Sequence, residues 1–318
     1  MPSPLVRWIA PVLTTVCTLM LTACADTAGS ADSTAEPDLG EIPVLLETKR
    51  LEFPMAAYEA TADEREKLNS AQRALEVACM SRFGFTYAPP AGRPAPVTDN
   101  RYIFGVVDAE EVARYGYQNP QAGAAAERRR TPRAPLSDTE QLVLGGAADT
   151  DPQSLPMSEE AARREGGSGQ KVNGRAVPLG GCTREAFLKL YAPKANAVDI
   201  MYVFNLRSEA ESQTRADSRV RENDRKWSAC MKSAGYSVTD PMDASNELGF
   251  EEGELSSSAA IAAAGADVAC KRKVNLVGVR YAVTTAYQKR LIDKNAETLN
   301  LARRQHEDRM KLAATLLS

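Results

Sequence analysis

The stretch that decides the fold is WSACMKSAGYSV, residues 227–238, because it has an echo 151 positions earlier in EVACMSRFGFTY, residues 76–87. Both read Ala-Cys-Met, three variable residues, Gly, then an aromatic. Thiolate beside thioether suits Cu(I), so two copies could form one soft metal site. A helix cap accounts for more of the residues. With Gly235 at C′, Met231 falls at C3 and Tyr236 at C″, the pattern of a Schellman cap with its apolar C″–C3 contact. Met80, Gly84 and Phe85 take the same positions in the first copy. Arg82 and Lys232 in the last turn complement the negative helix end. The stretch therefore predicts a joint used twice, with a cysteine in the last turn of each helix.

Each copy continues into a non-helical excursion and then a single cysteine at the next helix. Cys17 precedes position 24, and beyond Cys24 the chain holds Cys79, Cys182, Cys230 and Cys270. Four cysteines in an oxidising compartment imply two disulfides, with three pairings open. The repeat favours pairing within copies, Cys79–Cys182 and Cys230–Cys270.

Outward from the first joint, residues 58–83 read as a helix. Thr61 and Glu64 make a capping box, and Leu68, Leu75, Cys79 and Phe83 share one face. Residues 86–181 carry ten prolines and only short elements. RYIFGVV, 101–107, predicts a short strand. Asp108 with Glu111, Ser137 with Glu140, and Ser158 each predict the start of a brief helix. KVNGRAV, 171–177, has Asn-Gly between β-branched residues, a hairpin signal. Around the second joint, 196–234 predicts one long, mostly exposed helix. It is dense in i,i+4 pairs such as Glu211/Arg215, Asp217/Arg221 and Glu222/Lys226. Its thin apolar line is Val203, Leu206, Ala210, Val220, Trp227 and Met231. Residues 256–318 predict a second long helix, with Leu276, Val279, Val283, Tyr287 and Leu291 in one stripe that Ile292, Leu299, Ala302, His306, Met310, Ala313 and Leu317 continue. At 1.5 Å per residue the pair would reach roughly 55–65 Å, packed antiparallel. The expected fold class is thus mainly α: long antiparallel helices, an irregular Pro/Gly-rich excursion bearing a small β-hairpin, and two disulfides.

The N-terminus speaks to location. Arg7 precedes an apolar run closing on Leu21-Thr22-Ala23-Cys24, the layout of a signal peptide. Its ending resembles the bacterial lipobox, which implies lipidation of Cys24 and attachment to the outer face of the cytoplasmic membrane. The acidic, aromatic-free residues 25–41 are too polar to bury a core. The expected organisation is a signal peptide at 1–23, lipidated Cys24 with a flexible tether to 57, a first copy at 58–195 and a helical hairpin at 196–318. Removing residues 1–23 takes only Arg7 from 39 basic residues and none of the 42 acidic ones, leaving a charge of −4. The charges interleave, so no nucleic-acid footprint is expected. Arg128–Arg130, the one basic cluster, falls in a loop.

Candidate chemistry is sparse. His306 is the only histidine and lies on an apolar stripe, so neither a His-based metal site nor a catalytic triad can be assembled. Ser168-x-x-Lys171 matches a penicillin-recognising pattern but sits in a Gly-rich loop and lacks the partner motif. Asp149, Asp151, Gln153 and Glu160 have EF-hand spacing with Ser154 where Gly belongs. Glu110/Glu111 and Glu251/Glu252 are paired acids without known neighbours. Walker A and dinucleotide fingerprints are missing, and no catalytic, metal or cofactor residue is assigned.

The lipobox, CMSRFGF, RYGYQNP, VPLGGCTREA and ADVACKRKVNLVGVRYAVTTAYQKRLIDKNAETL, in that order, resemble predicted lipoproteins of Streptomyces and related actinomycetes. The resemblance implies secretion and a shared fold, and it brings no established activity with it. Members often accompany membrane-transport or envelope systems. The expected function is therefore non-enzymatic protein contact at the cell envelope, with a transporter-associated or other envelope protein as partner. The alternative is a lipoprotein that binds or sequesters a small molecule for self-protection. An extracytoplasmic hydrolase ranks third.

Overall fold

The computed structural model describes residues 35–90, 100–120 and 135–318. Pro37–Ser318 form one compact unit. The signal peptide, Cys24 and Arg128–Arg130 lie outside the described residues.

Eleven α-helices occur among those residues: α1 Ala62–Arg82, α2 Ala109–Tyr115, α3 Asp138–Gly145, α4 Glu159–Glu165, α5 Gly181–Tyr191, α6 Tyr202–Ala216, α7 Ser218–Ser233, α8 Ala244–Glu247, α9 Ser258–Lys273, α10 Leu276–Lys294 and α11 Ala296–Leu317. Strands β1 Lys171–Val172 and β2 Arg175–Ala176 pair antiparallel around Asn173-Gly174. Both turn residues have positive φ, 49° and 75°, as a two-residue hairpin requires.

Both joints form as the repeat predicts. In α1 the Phe85 N–H donates to the Met80 carbonyl at 3.2 Å and the Gly84 N–H to that of Ser81 at 3.0 Å. In α7 the Tyr236 N–H reaches Met231 at 2.9 Å and the Gly235 N–H reaches Lys232 at 3.1 Å. Gly84 and Gly235 supply φ of 83° and 94°, a region where a β-carbon is costly. The disulfides are Cys79–Cys182 and Cys230–Cys270. The first joins α1 to α5 and the second joins α7 to α9. Both cysteines of the Cys-Met pairs are thereby consumed, so no thiolate remains for copper.

The helical hairpin is antiparallel but broken. Hydrogen bonds link Tyr202 to Asn295, Thr214 to Thr284 and Asn223 to the Val274 carbonyl, so α6 and α7 run against α10. The expected single helix at 196–234 stops at Asp217. Its backbone is extended (φ −64°, ψ 135°), and its side chain accepts from the Arg219 N–H, capping α7 instead of pairing with Arg221. Along the expected apolar line Leu206, Ala210, Val220, Trp227 and Met231 are all buried. The last helix breaks twice, at left-handed Asn275 and at Asn295. The second break turns α11 away to pack on α1 and α5, so the two copies share one body.

Two further expectations change. Residues 101–107 form no strand; Asn100–Tyr102 is a 3-10 turn, and Phe104 and Val107 bury against Trp227 and Met231. A β-branched run makes a strand only where a partner strand offers hydrogen bonds. Residues 37–57, placed in the tether by composition, belong to the folded unit. Asn275 donates to the Pro43 carbonyl at 2.9 Å and accepts from the Leu45 N–H, and Gln288 accepts from the buried Met55 N–H at 3.0 Å. Gly278 admits this strap, since a β-carbon there would lie 1.9 Å from the Pro43 oxygen. No helix among the described residues is long and apolar enough to cross a membrane.

Candidate functional site

A cleft of about 530 Å³ opens where α1, α11, the end of α5 and the start of α6 converge. Local chemistry fixes each wall. The Thr61 and Glu64 capping box starts α1, which puts Arg65 in its first turns. The Thr61 backbone N–H and hydroxyl, with His306 beside them, hold the Glu64 carboxyl below its usual range. On the opposite side, Gln305 of α11 clamps the α5–α6 connection. It accepts from the Val198 N–H at 2.8 Å and donates to the Asn196 carbonyl at 2.9 Å. Asp199 then accepts from the Met201 N–H and begins α6.

Guanidinium groups lie on rings around this cleft. Arg309 sits 4.7 Å from the Tyr191 ring centre, Arg303 5.1 Å from Tyr58, and Arg207 5.4 Å from Phe204. Arg207 also pairs with Glu59 at 3.0 Å. Arg309 donates its Nε–H to the Leu190 carbonyl at 3.3 Å, and among the described residues no carboxylate pairs with it. Burial lowers the Arg309 pKa from its ordinary value and raises that of Tyr191. Arg65 donates one amino group to the Ala60 carbonyl, and its other amino nitrogen is buried without a partner. Three arginines thus face two lining acids, Glu59 and Asp199, each already engaged.

At the rim, Ile200, Met201 and Phe204 stand 48%, 45% and 46% exposed. Ile200 and Met201 lie in the turn before α6 and Phe204 in its first turn, so three exposed large apolar side chains fall within five residues, and clustered apolar exposure of this kind marks interaction sites. The guanidinium groups here donate hydrogen bonds and do not deprotonate, and the His306 imidazole lies against Glu64 at 3.4 Å.

A second cluster lies beside the Cys230–Cys270 bridge and is sealed. The Trp227 indole N–H donates to Asp267 at 2.9 Å, and Lys271 pairs with the same carboxylate at 3.1 Å while donating to the Val106 carbonyl. The side chains of Asp267 and Lys271 are each 1% exposed. Burial pushes the Asp267 carboxyl up and the Lys271 ammonium down. Nearby, Arg280 reaches both oxygens of Asp224 at 2.8 Å.

Other residues singled out by sequence have local roles. Ser168 and Lys171 lie on the hairpin and its approach, with Lys171 opening β1. Asp151 caps a 3-10 turn and Glu160 pairs with Arg164 at 3.0 Å, so the EF-hand-like spacing does not converge. Glu251 pairs with Glu254 in a capping box, and Glu111 accepts from the Tyr102 hydroxyl. The sequence reading did not find Arg65, Tyr191, Phe204 or Arg309, which come from segments far apart in the chain. It also passed over Asp267 and Lys271, whose i,i+4 spacing inside an Ala-rich run was a usable signal. No protein-family model matches the chain, and no curated protein and no solved structure is similar to it.

Proposed function

We propose that this protein is a lipid-anchored, extracytoplasmic helical module that works without catalysis, by contact with another protein of the cell envelope. The observation that carries the reading is the exposed patch of Ile200, Met201 and Phe204 at the mouth of an arginine-lined cleft. Aromatic and aliphatic anchors flanked by arginine are the composition of interface hot spots. The lipobox ending at Cys24 supports attachment to the outer face of the cytoplasmic membrane, and two disulfides fit an oxidising compartment. Those features together favour a transporter-associated or other envelope partner.

A photo-crosslinking side chain at position 204 in the full-length protein in native membranes tests the contact. One protein species should crosslink from position 204 and not from exposed position 164, and Met201→Asp should abolish that product. Equal products from both positions, or none from position 204, would refute the reading.

A further inference from the structure

Arg309 lies on a wall shared by two clefts. The larger is the one described above; the other, about 330 Å³, is lined by Tyr191, Lys194, Arg304, Gln305 and Arg309. Arg309 is held flat over Tyr191 by its Nε–H bond to the Leu190 carbonyl. That contact uses one of five N–H donors and leaves the forked terminal amino groups without a protein acceptor among the described residues. A half-buried guanidinium commonly pairs with a carboxylate, yet the terminal amino nitrogens of Arg309 are not sealed and open instead to the solvent of the cleft. The surrounding charges do not supply such a pair. Arg65, Lys194 and Arg304 are cations, Glu59 is taken by Arg207, Asp199 accepts from the Met201 N–H, and Asp308 is paired with Lys311 at 3.0 Å.

We propose that Arg309 is the anchor of a binding site for a carboxylate carried on a flat apolar body. The forked terminal amino groups match the two oxygens of a carboxylate, which is the geometry of bidentate recognition. Arg65 adds positive potential from the facing helix. Tyr58 and Phe204 supply aromatic surface around it, and the volume lies within the roughly 300–1,000 Å³ of small-ligand sites. The site stands independently of the contact reading. Its carboxylate belongs either to a free aromatic acid or to the C-terminus of a polypeptide.

Calorimetric titration of the full-length protein in detergent distinguishes these. The probes are 3-phenylpropionate, N-acetyl-L-phenylalanine and, as the neutral isostere, 3-phenylpropanamide. At least one acid should bind, and both Arg309→Gln and Arg65→Gln should weaken it, Arg309→Gln by roughly ten-fold or more, the size of a lost charge-assisted hydrogen bond. Tighter binding of 3-phenylpropionate indicates a free acid as the natural ligand, and tighter binding of N-acetyl-L-phenylalanine a polypeptide C-terminus. Arg309→Lys keeps the charge and loses the fork, so it should recover only part of the affinity. The site is overturned if neither acid binds the unmodified protein more tightly than the amide. It is also overturned if binding survives both Gln substitutions in proteins whose thermal unfolding is unchanged. Loss of crosslinking at position 204 with intact acid binding would sink the contact reading alone.

Discussion

Removing Lys271 and removing Asp267 should make stability depend on pH in opposite directions. Lys271→Met leaves the Asp267 carboxylate with the Trp227 indole N–H and the Tyr117 hydroxyl near it, but without a counter-charge. Breaking a buried pair from one side costs about 3–5 kcal/mol. The carboxyl answers by holding a proton in the folded state, with its pKa raised above the unfolded value. The folded state then binds more protons than the unfolded one, so stability rises as pH falls, by about 1.4 kcal/mol per pH unit. Of the initial deficit at pH 7, roughly 2–3 kcal/mol should be regained by pH 5. Asp267→Asn leaves the Lys271 amine facing the Val106 carbonyl and the charge of Arg280, with Asp240 as a weaker opposite charge. Its folded pKa falls below the unfolded value, the folded state binds fewer protons, and stability is regained as pH rises from 7 toward 9. The double variant loses both slopes and should cost less than the two single changes together. Trp227 is the only tryptophan beyond residue 23, so urea unfolding followed by its fluorescence at pH 5, 7 and 9 reports directly on this cluster. Each deficit is taken relative to the unmodified protein at the same pH. Deficits independent of pH, or slopes of the same sign in both single variants, would show that the pair is not an uncompensated charge problem and would refute the argument.

Other expectations follow from the joints, the strap and the anchor. Gly235→Ala should cost about 1–2 kcal/mol, the left-handed penalty alone, because its β-carbon meets nothing within 4 Å; thermal unfolding measures it. Gly278→Ala should cost about 1–3 kcal/mol by overpacking, and amide exchange should quicken at Leu45 and Met55 as the strap lifts from α10. Opening the Cys79–Cys182 bridge should cost about 5 kcal/mol and opening Cys230–Cys270 about 4 kcal/mol, if loop entropy dominates, for sequence separations of 103 and 40; denaturant titration of the paired Cys→Ala variants checks the ranking. Cys24→Ala should move the chain from the membrane pellet to the soluble fraction, and its retention in the membrane would count against lipid anchoring.

The parts of the fold legible in the sequence are those decided within a few residues. Schellman caps, capping boxes at Thr61 and Ser137, and the Asn173-Gly174 turn are local chemistry, so spacing alone carries them. The disulfide pairing became legible because the joint repeats, which turned three open pairings into one favoured pattern. The helix breaks were harder because they sit inside uniform stretches. Asp217 lies in a run of alternating charge where Glu211, Asp217 and Glu222 each have a base four residues on, and only burial of its carboxylate beside Arg219 and Tyr287 separates a cap from another surface pair. The apolar residues within 37–57, Leu39, Leu45, Leu51, Phe53 and Met55, are spaced for no regular element; they bury individually against α10 and its neighbours. The candidate site is the extreme case. Arg65, Tyr191, Phe204 and Arg309 lie on four helices, and nothing at any one position distinguishes it from a solvated surface residue. What makes Arg309 distinctive is what the fold keeps away from it: Glu59 is paired with Arg207, Asp199 accepts from a backbone N–H and Asp308 is paired with Lys311, and that is a property of three-dimensional placement on which sequence spacing is silent. The break at Asn295 is therefore the element on which the site depends, since it turns α11 across α1 and α5 and brings Arg309 onto Tyr191. A continuous helix through 295, as periodicity suggests, would leave those two residues on separate surfaces and the cleft without its charge.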